Sequence, residues 1–319
     1  MSVQQRKAED VTIEPLQEKD LNEADRIFHL AFGTFLGLPD PSAFAAGSDY
    51  IRTRWKTHPE GFFAAKVGDR FIGSNFATDW GSVGFFGPLT IDPSYWDRGV
   101  GQRLLEPVID CFSSWGTKHA GLYTFAQSAK HVGLYQKFGF WPRFLTAIMT
   151  LRVRAEENSK AFFGKFSEVN QSPALEACRE LTDEIYRGLD LSREIRAIAD
   201  QHLGDTVLLT DQSRLSGFAI CHCGEGTEAG PDTCYIKFGA VRSGAGAAER
   251  FDQLLLACEQ LASDRGLSRL VGGVNLSRKE AFQRMLAVGF RTEFQGVAMH
   301  RPNEEGYSRS GIYAIDDWR

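Results

Sequence analysis

The sequence predicts an α/β (α+β) protein of two related halves, and three observations carry that expectation. Strand-patterned and helix-patterned segments alternate along all 319 residues. A glycine-bearing turn, Arg98-Gly99-Val100-Gly101, joins an apolar strand end to a helix whose Leu104, Leu105, Val108, Ile109 and Phe112 share one face. Related residues recur at an offset of 150 (289 minus 139): Gly139-Phe140 with Gly289-Phe290, Leu104-Leu105 with Leu254-Leu255, and Val108 with Cys258.

The elements follow in chain order. Val11-Thr12-Ile13 reads as a first strand. Asp20 and Glu23 form an Asp-x-x-Glu helix start, continued by Leu21, Ala24, Ile27, Phe28 and Ala31 at helical spacing. The stretch 33–41, from Gly33 to Pro41, is expected to break that helix, and a further helix is expected over 50–55. Segments 62–67 and 70–76, joined by Gly68-Asp69, read as a hairpin. The next strand, 83–91, is interrupted by Gly87-Pro88; a proline removes a ladder donor, so this strand should splay or lie at an edge. Pro107 should kink or break the helix that follows. A strand at 122–125, a short helix closed by Gly139 and a strand at 144–153 complete the first half. The charged stretch 154–172 reads as a linker. The second half begins with a helical pattern over 174–201, divided near Gly188-Leu189-Asp190. Strands follow at 206–209, 215–222 and 235–241, then helices at 247–264 and 277–287.

Composition bounds the function. Apolar residues make up 43% and charged residues 24%, as in ordinary globular proteins, and the net charge of −5 argues against a nucleic-acid partner. The six cysteines lie mostly in apolar segments, which suits reduced thiols. No apolar run approaches the ~20 residues that span a membrane, and the polar N-terminus lacks a signal-peptide pattern; the expectation is a cytoplasmic protein with no membrane partner. In Cys221-His222-Cys223, strand alternation puts both thiols on one face and the imidazole on the other, so no metal site is expected. The tail Asp316-Asp317-Trp318-Arg319 is expected to dock onto the body.

Backbone N–H groups at Gly99 and Gly101, the helix dipole, and Arg98 and Arg103 suit an anion at the helix mouth. A tight turn with close packing is the alternative. It is neither a dinucleotide fingerprint, whose third glycine would fall at Leu104, nor a P-loop, since no Gly-Lys-Ser/Thr follows. Downstream lies Ser128-Ala129-Lys130-His131-Val132-Gly133-Leu134-Tyr135-Gln136-Lys137-Phe138-Gly139-Phe140. The order strand, Pro-x-Tyr, Arg-Gly-x-Gly, Leu-Leu, then a helix bearing Tyr-x-Lys-x-Gly-Phe resembles motifs A and B of GNAT acyltransferases, over roughly residues 10–153. Trp96 departs from the Gln or Arg usual in that family three residues before the first glycine.

The resemblance implies two GNAT-like lobes, each a mixed, mostly antiparallel sheet flanked by helices: an acyltransferase lobe at 1–153 and, after the linker, a degenerate lobe with tail at 173–319. The 150-residue offset carries Gly99 to Glu249, Gly101 to Phe251 and Tyr135 to Met285, so the second lobe is expected to have lost the chemistry. In the first, the resemblance implies acetyl-CoA bound by Leu89, Thr90, Ile91, Trp96, Asp97, Arg98, Gly99, Val100, Gly101, Gln102, Arg103 and Ser128. Tyr135 would protonate the departing thiolate; a phenol of pKa about 10 is a competent donor to a thiol of about 8.5. Asp79, His119 and His131 are candidate bases. The loop at 33–41 either walls the acceptor pocket or simply connects helices. The expected function is acetyl-CoA-dependent N-acyl transfer to a small-molecule or peptide amine, with a non-catalytic acyl-CoA-binding or regulatory protein as the alternative.

Overall fold

The computed structural model describes residues 11–154 and 163–319. Its strands are β1 (Val11–Pro15), β2 (Phe62–Val67), β3 (Arg70–Trp80), β4 (Val83–Phe86), β5 (Thr90–Ile91), β6 (His119–Thr124), β7 (Trp141–Arg152), β8 (Gly164–Lys165), β9 (Gly204–Asp211), β10 (Arg214–Cys223), β11 (Thr233–Val241), β12 (Arg269–Asn275), β13 (Arg291–Arg301) and β14 (Ala314–Ile315). The helices are α1 (Leu21–Leu36), α2 (Ile51–Thr57), α3 (Val100–Trp115), α4 (Ala129–Gln136), α5 (Gln171–Ile185), α6 (Ser192–Asp200), α7 (Ala247–Asp264) and α8 (Lys279–Val288).

All these strands join one mixed, mostly antiparallel sheet in the order β1-β2-β3-β4-β6-β13-β7-β12-β11-β10-β9-β8, with β5 on β3 and β14 on β11. The order at the centre departs from the chain order. β13, near the end of the chain, lies between β6 and β7, and β7 lies between β13 and β12. Each half therefore receives a strand from the other.

Alternation along the strands builds a core on each face. Phe62 and Ala64 of β2 pack under α1 and α2, whereas Ala65 faces Leu104 of α3. Phe85 of β4 joins the core of α5 and α6, and its neighbour Phe86 joins that of α3 and α4. The exchanged strands carry this into both halves. Val297 and Met299 of β13 pack with Leu105, Val108 and Phe140; Ala147, Met149 and Leu151 of β7 pack with Leu254, Leu255 and Phe290. Fully burying such a side chain stabilises by roughly 1.5–3 kcal/mol.

Several local expectations are corrected. Asp20 does not form the capping box with Glu23; it accepts from Lys66 Nζ at 3.0 Å, and Glu23 pairs with Arg26. α1 runs through Gly33, where a Cβ would meet Pro41 O at 2.0 Å, and stops at Gly37, whose φ is 71°. Pro107 does not break α3. The carbonyl it leaves without a donor belongs to exposed Arg103, and buried Asn75 anchors the same turn by donating to Leu104 O at 3.2 Å. β4 splays from β5 but is not an edge. Of the linker expectation, 155–162 lies outside the described residues, and its later part holds β8.

A buried charge cluster ties the halves together. Arg54 on α2 donates to Glu228 at 3.0 and 2.6 Å. Lys237 on β11 reaches Glu228 at 2.7 Å and Glu194 of α6 at 2.9 Å, and Trp80 Nε1 donates to Glu194 at 3.1 Å. Two cations face two anions in a dry site. Burial alone would push the Glu228 carboxyl up, but Arg54 and Lys237 outweigh it and hold the group well below the usual carboxylate range. Glu228→Gln should cost about 3–5 kcal/mol in denaturant unfolding, because it leaves two buried cations underpaired. A cost below about 1 kcal/mol would refute the tie.

Three buried histidines set acid sensitivity. His300 Nδ1 lies 2.9 Å from Glu304 O and 3.1 Å from His119 Nε2. A carbonyl only accepts, so the proton sits on His300 Nδ1 and His119 Nε2 is an acceptor. Burial holds both below the ordinary imidazole value and His222 down to about 4. The unfolded chain takes up these protons first, at about pH 6.5, so stability is full above that pH and falls as pH drops toward 4. Thermal melting should move down between pH 6.5 and 4.5, with a shallower slope in His222→Asn. A flat profile over that window would overturn the assignment.

Candidate active site

The site begins where β4 ends. Gly87 N–H is committed to Phe76 O at 2.8 Å and Pro88 has none, so the chain leaves β4 and returns as β5 against Gly73 and Ser74 of β3. β4 and β6 are paired only from Val83/His119 to Phe85/Gly121. Beyond that point opens a cavity of about 1100 Å³.

At one wall, α3 starts at Gly99, whose φ of 77° is the left-handed conformation that glycine adopts without strain. The first N–H groups of the helix, from Val100, Gly101 and Gln102, have no intrahelical acceptor and carry the positive end of its dipole. A Cβ on Gly101 would press Ile91 and Leu134 at 3.3 and 3.4 Å. Lys130 sits beside this wall and pairs with Asp97 at 2.5 Å. Free backbone donors and the positive end of the helix dipole make this wall suited to an anionic group.

Leu89, Ile91, Trp96, Asp97, Gly99, Val100, Gly101, Gln102 and Tyr135 all border the cavity. The other four expected cofactor contacts, Thr90, Arg98, Arg103 and Ser128, are not in its lining. Thr90 turns to the Ser74 hydroxyl at 3.3 Å, and the Arg98 guanidinium lies over the Tyr95 ring at 4.9 Å. Arg103 is exposed on α3, and Ser128 caps α4 by accepting from His131 N–H. Trp96 donates from Nε1 to Ile91 O at 2.8 Å, which braces the turn in place of a polar contact to ligand.

Tyr135 is buried and edge-on to Phe86 at 5.5 Å. Burial pushes the phenol well above its ordinary value, so it stays protonated. Leu89 N–H, next to Pro88, has no hydrogen-bond partner among the described residues. Of the candidate bases only His131 borders the cavity, where burial and Lys130 hold its pKa down and keep it neutral. Asp79 accepts from Gly81 N–H, and His119 belongs to the histidine pair.

On the opposite wall, Phe35 and Leu36 of the stretch 33–41 border the cavity; the rest of that wall was not foreseen. Phe28, Phe32 and Phe35 of α1 border the cavity, as do Tyr123 and Phe125. So do Phe294, Gln295, Trp318 and Arg319 from the end of the chain. The surplus of phenylalanine on α1 was the available signal. The tail docks as expected: Trp318 covers Gly121, where a Cβ would clash at 2.1 Å, and Asp317 covers Gly273. Arg54 also donates to Gly87 O at 2.9 Å, joining the charge cluster to the splay.

In the second half, β11 is continuous where β4 and β5 part, and β14 pairs with it at Gly239 and Ala240. Arg278, at the start of α8, closes the gap on Asp316 at 2.8 Å, and Met285 is packed in the core. The glycine that caps α7 is Gly246, with φ 75°, so Gly99 corresponds to Gly246; Glu249 falls within the first turn of a longer helix.

Residues 25–140 match the family described as Acetyltransferase (GNAT) family. No curated protein matches the sequence. Among solved structures, a candidate acetyltransferase of Pyrococcus horikoshii superposes with a TM-score of 0.70 at 16% identity, covering 100% of this chain and 98% of that one. A GCN5-related N-acetyltransferase of Sphaerobacter thermophilus gives 0.56 at 15% identity, covering 91% and 95%. The glucosamine N-acetyltransferase region of a fungal multi-domain β-N-acetylglucosaminidase gives 0.61 at 14% identity, covering 91% of this chain and 38% of that one. Residues 25–140 thus match the model of the GNAT acetyltransferase family, and the chain as a whole has the fold seen in solved GCN5-related N-acetyltransferases.

Proposed function

We propose that the chain is an acetyl-CoA-dependent N-acetyltransferase in which the lobe at 1–153 carries the reaction and the lobe at 173–319 completes its sheet and acceptor wall. The observation that carries this reading is one cavity bordered by an open helix N-terminus, the Leu89 N–H, unpartnered among the described residues, and the Tyr135 side chain. In the transfer, an amine nitrogen bonds to the thioester carbonyl carbon, the C–S bond breaks, and the nitrogen gives up a proton.

Each part has a protein group suited to it. The α3 N-terminus, with Lys130 nearby, holds the pyrophosphate through backbone donors. The Leu89 N–H stabilises the oxygen that becomes negative as the carbonyl is attacked. Tyr135 delivers a proton to the departing sulfur, and the neutral imidazole of His131 is the group within the cavity able to accept one from the amine. Apolar surroundings also favour the uncharged amine, the form that attacks.

Tyr135→Phe should lower kcat by roughly 10²–10³ while leaving acetyl-CoA affinity within twofold in a calorimetric titration. Unchanged turnover would remove the acid role. Gly99→Glu puts a side chain at φ 77° and a negative charge in the cradle, so acetyl-CoA binding should weaken by at least a hundredfold with the fold retained by circular dichroism. Retained affinity would place the cofactor elsewhere. Binding by the wild type with no turnover of any amine would leave an acyl-CoA-binding protein in place of an enzyme.

A further inference from the structure

We infer that the amine acetylated here is carried on an aromatic body, an arylalkylamine, and not a polyamine, an aminosugar or a lysine-rich peptide. This rests on the acetyltransferase reading and adds the chemical class of its acceptor. Phe28, Phe32 and Phe35 stand at i, i+4 and i+7 on α1, so one face of that helix is turned to the cavity. Phe44 stacks on Phe32 with centroids 5.1 Å apart and planes at 15°. Phe125 packs against Phe35 at 4.9 Å and Phe32 at 6.3 Å, and Phe294 enters from β13. Such a wall offers ring faces and edges to a flat apolar guest.

The charges point the same way. Asp97 is the one carboxylate side chain among the residues lining the cavity, and Lys130 already holds it at 2.5 Å. Lys130, Lys137 and Arg319 also line the space. A polycation would have to shed water beside like charges, with Asp97 already paired to Lys130. A single amine on a ring has no such cost once neutral. Tyr123 belongs to the same lining and adds a further ring beside Phe125.

The test uses the full chain. Acetyl-CoA binding is titrated first, and CoA release is then followed with phenethylamine, tryptamine, spermidine, glucosamine and a lysine-containing peptide. The two arylalkylamines should give kcat/KM at least tenfold above the other three. Phe32→Ala should raise KM for phenethylamine roughly tenfold with acetyl-CoA affinity within twofold, and Phe32→Leu should recover part of the loss. Phe125→Ala serves the same purpose if Phe32→Ala does not fold. Intact acetyl-CoA binding with preferred turnover of spermidine, glucosamine or peptide, or with no turnover of the arylalkylamines, overturns the acceptor class alone. Absence of acetyl-CoA binding overturns the acetyltransferase reading and the acceptor class with it.

Discussion

Two exchanged strands hold this molecule together. A sheet edge leaves a row of backbone donors and acceptors unpaired, and β6 and β12 would each end in such an edge without the strand contributed by the other half. β13 covers the first and β7 the second, while their apolar side chains finish the opposite cores. The cavity inherits this arrangement. Its walls include Leu122 to Phe125 from β6 and its continuation, and Phe294 sits on the strand that β6 receives. The site in the first half is therefore held in shape by a strand encoded near the end of the chain.

The two halves share a fold but not an opening, and the difference is a matter of what fills the gap between two parallel strands. In the first half, Gly87-Pro88 turns the chain out of β4, and the space beyond stays clear. In the second, β11 runs straight on, the tail adds β14 beside it, and Arg278 with Asp316 forms a buried ion pair. The tail then crosses toward the first half over Gly273 and Gly121, two positions where a side chain would collide with Asp317 or Trp318. One segment thus closes one groove and edges the other.

What local sequence carries was legible. Helical periodicity placed α7 at its observed limits, the turn at Gly68-Asp69 gave the hairpin, and the residues at Gly99 and Tyr135 pointed to the walls of one cavity. What depends on distant partners was not. β12 and β13 carry no local mark of being joined to β7, because register across the chain is decided by which edges remain open. Asp20 looked like a helix cap until Lys66 competed for its carboxylate. A fixed offset misaligned Gly99 with Glu249, because the two N-cap glycines lie 147 residues apart (246 minus 99), three short of the offset of 150. The aromatic wall was spread over α1, β6 and its continuation, and β13, and only the folded chain brings those phenylalanines to one space.

The position of β13 also orders events during synthesis. As the chain leaves the ribosome, α1 to α4 and their strands are complete long before residues 291–301 exist. Until then the edge of β6 has no neighbour, and the hydrophobic seats for Val297 and Met299 stand open to water. Unpaired edges of that kind are sites of misassociation. Vectorial folding of the first half alone would produce a nascent species with a sticky border. The cavity is complete only once residues 291–301 lie between β6 and β7.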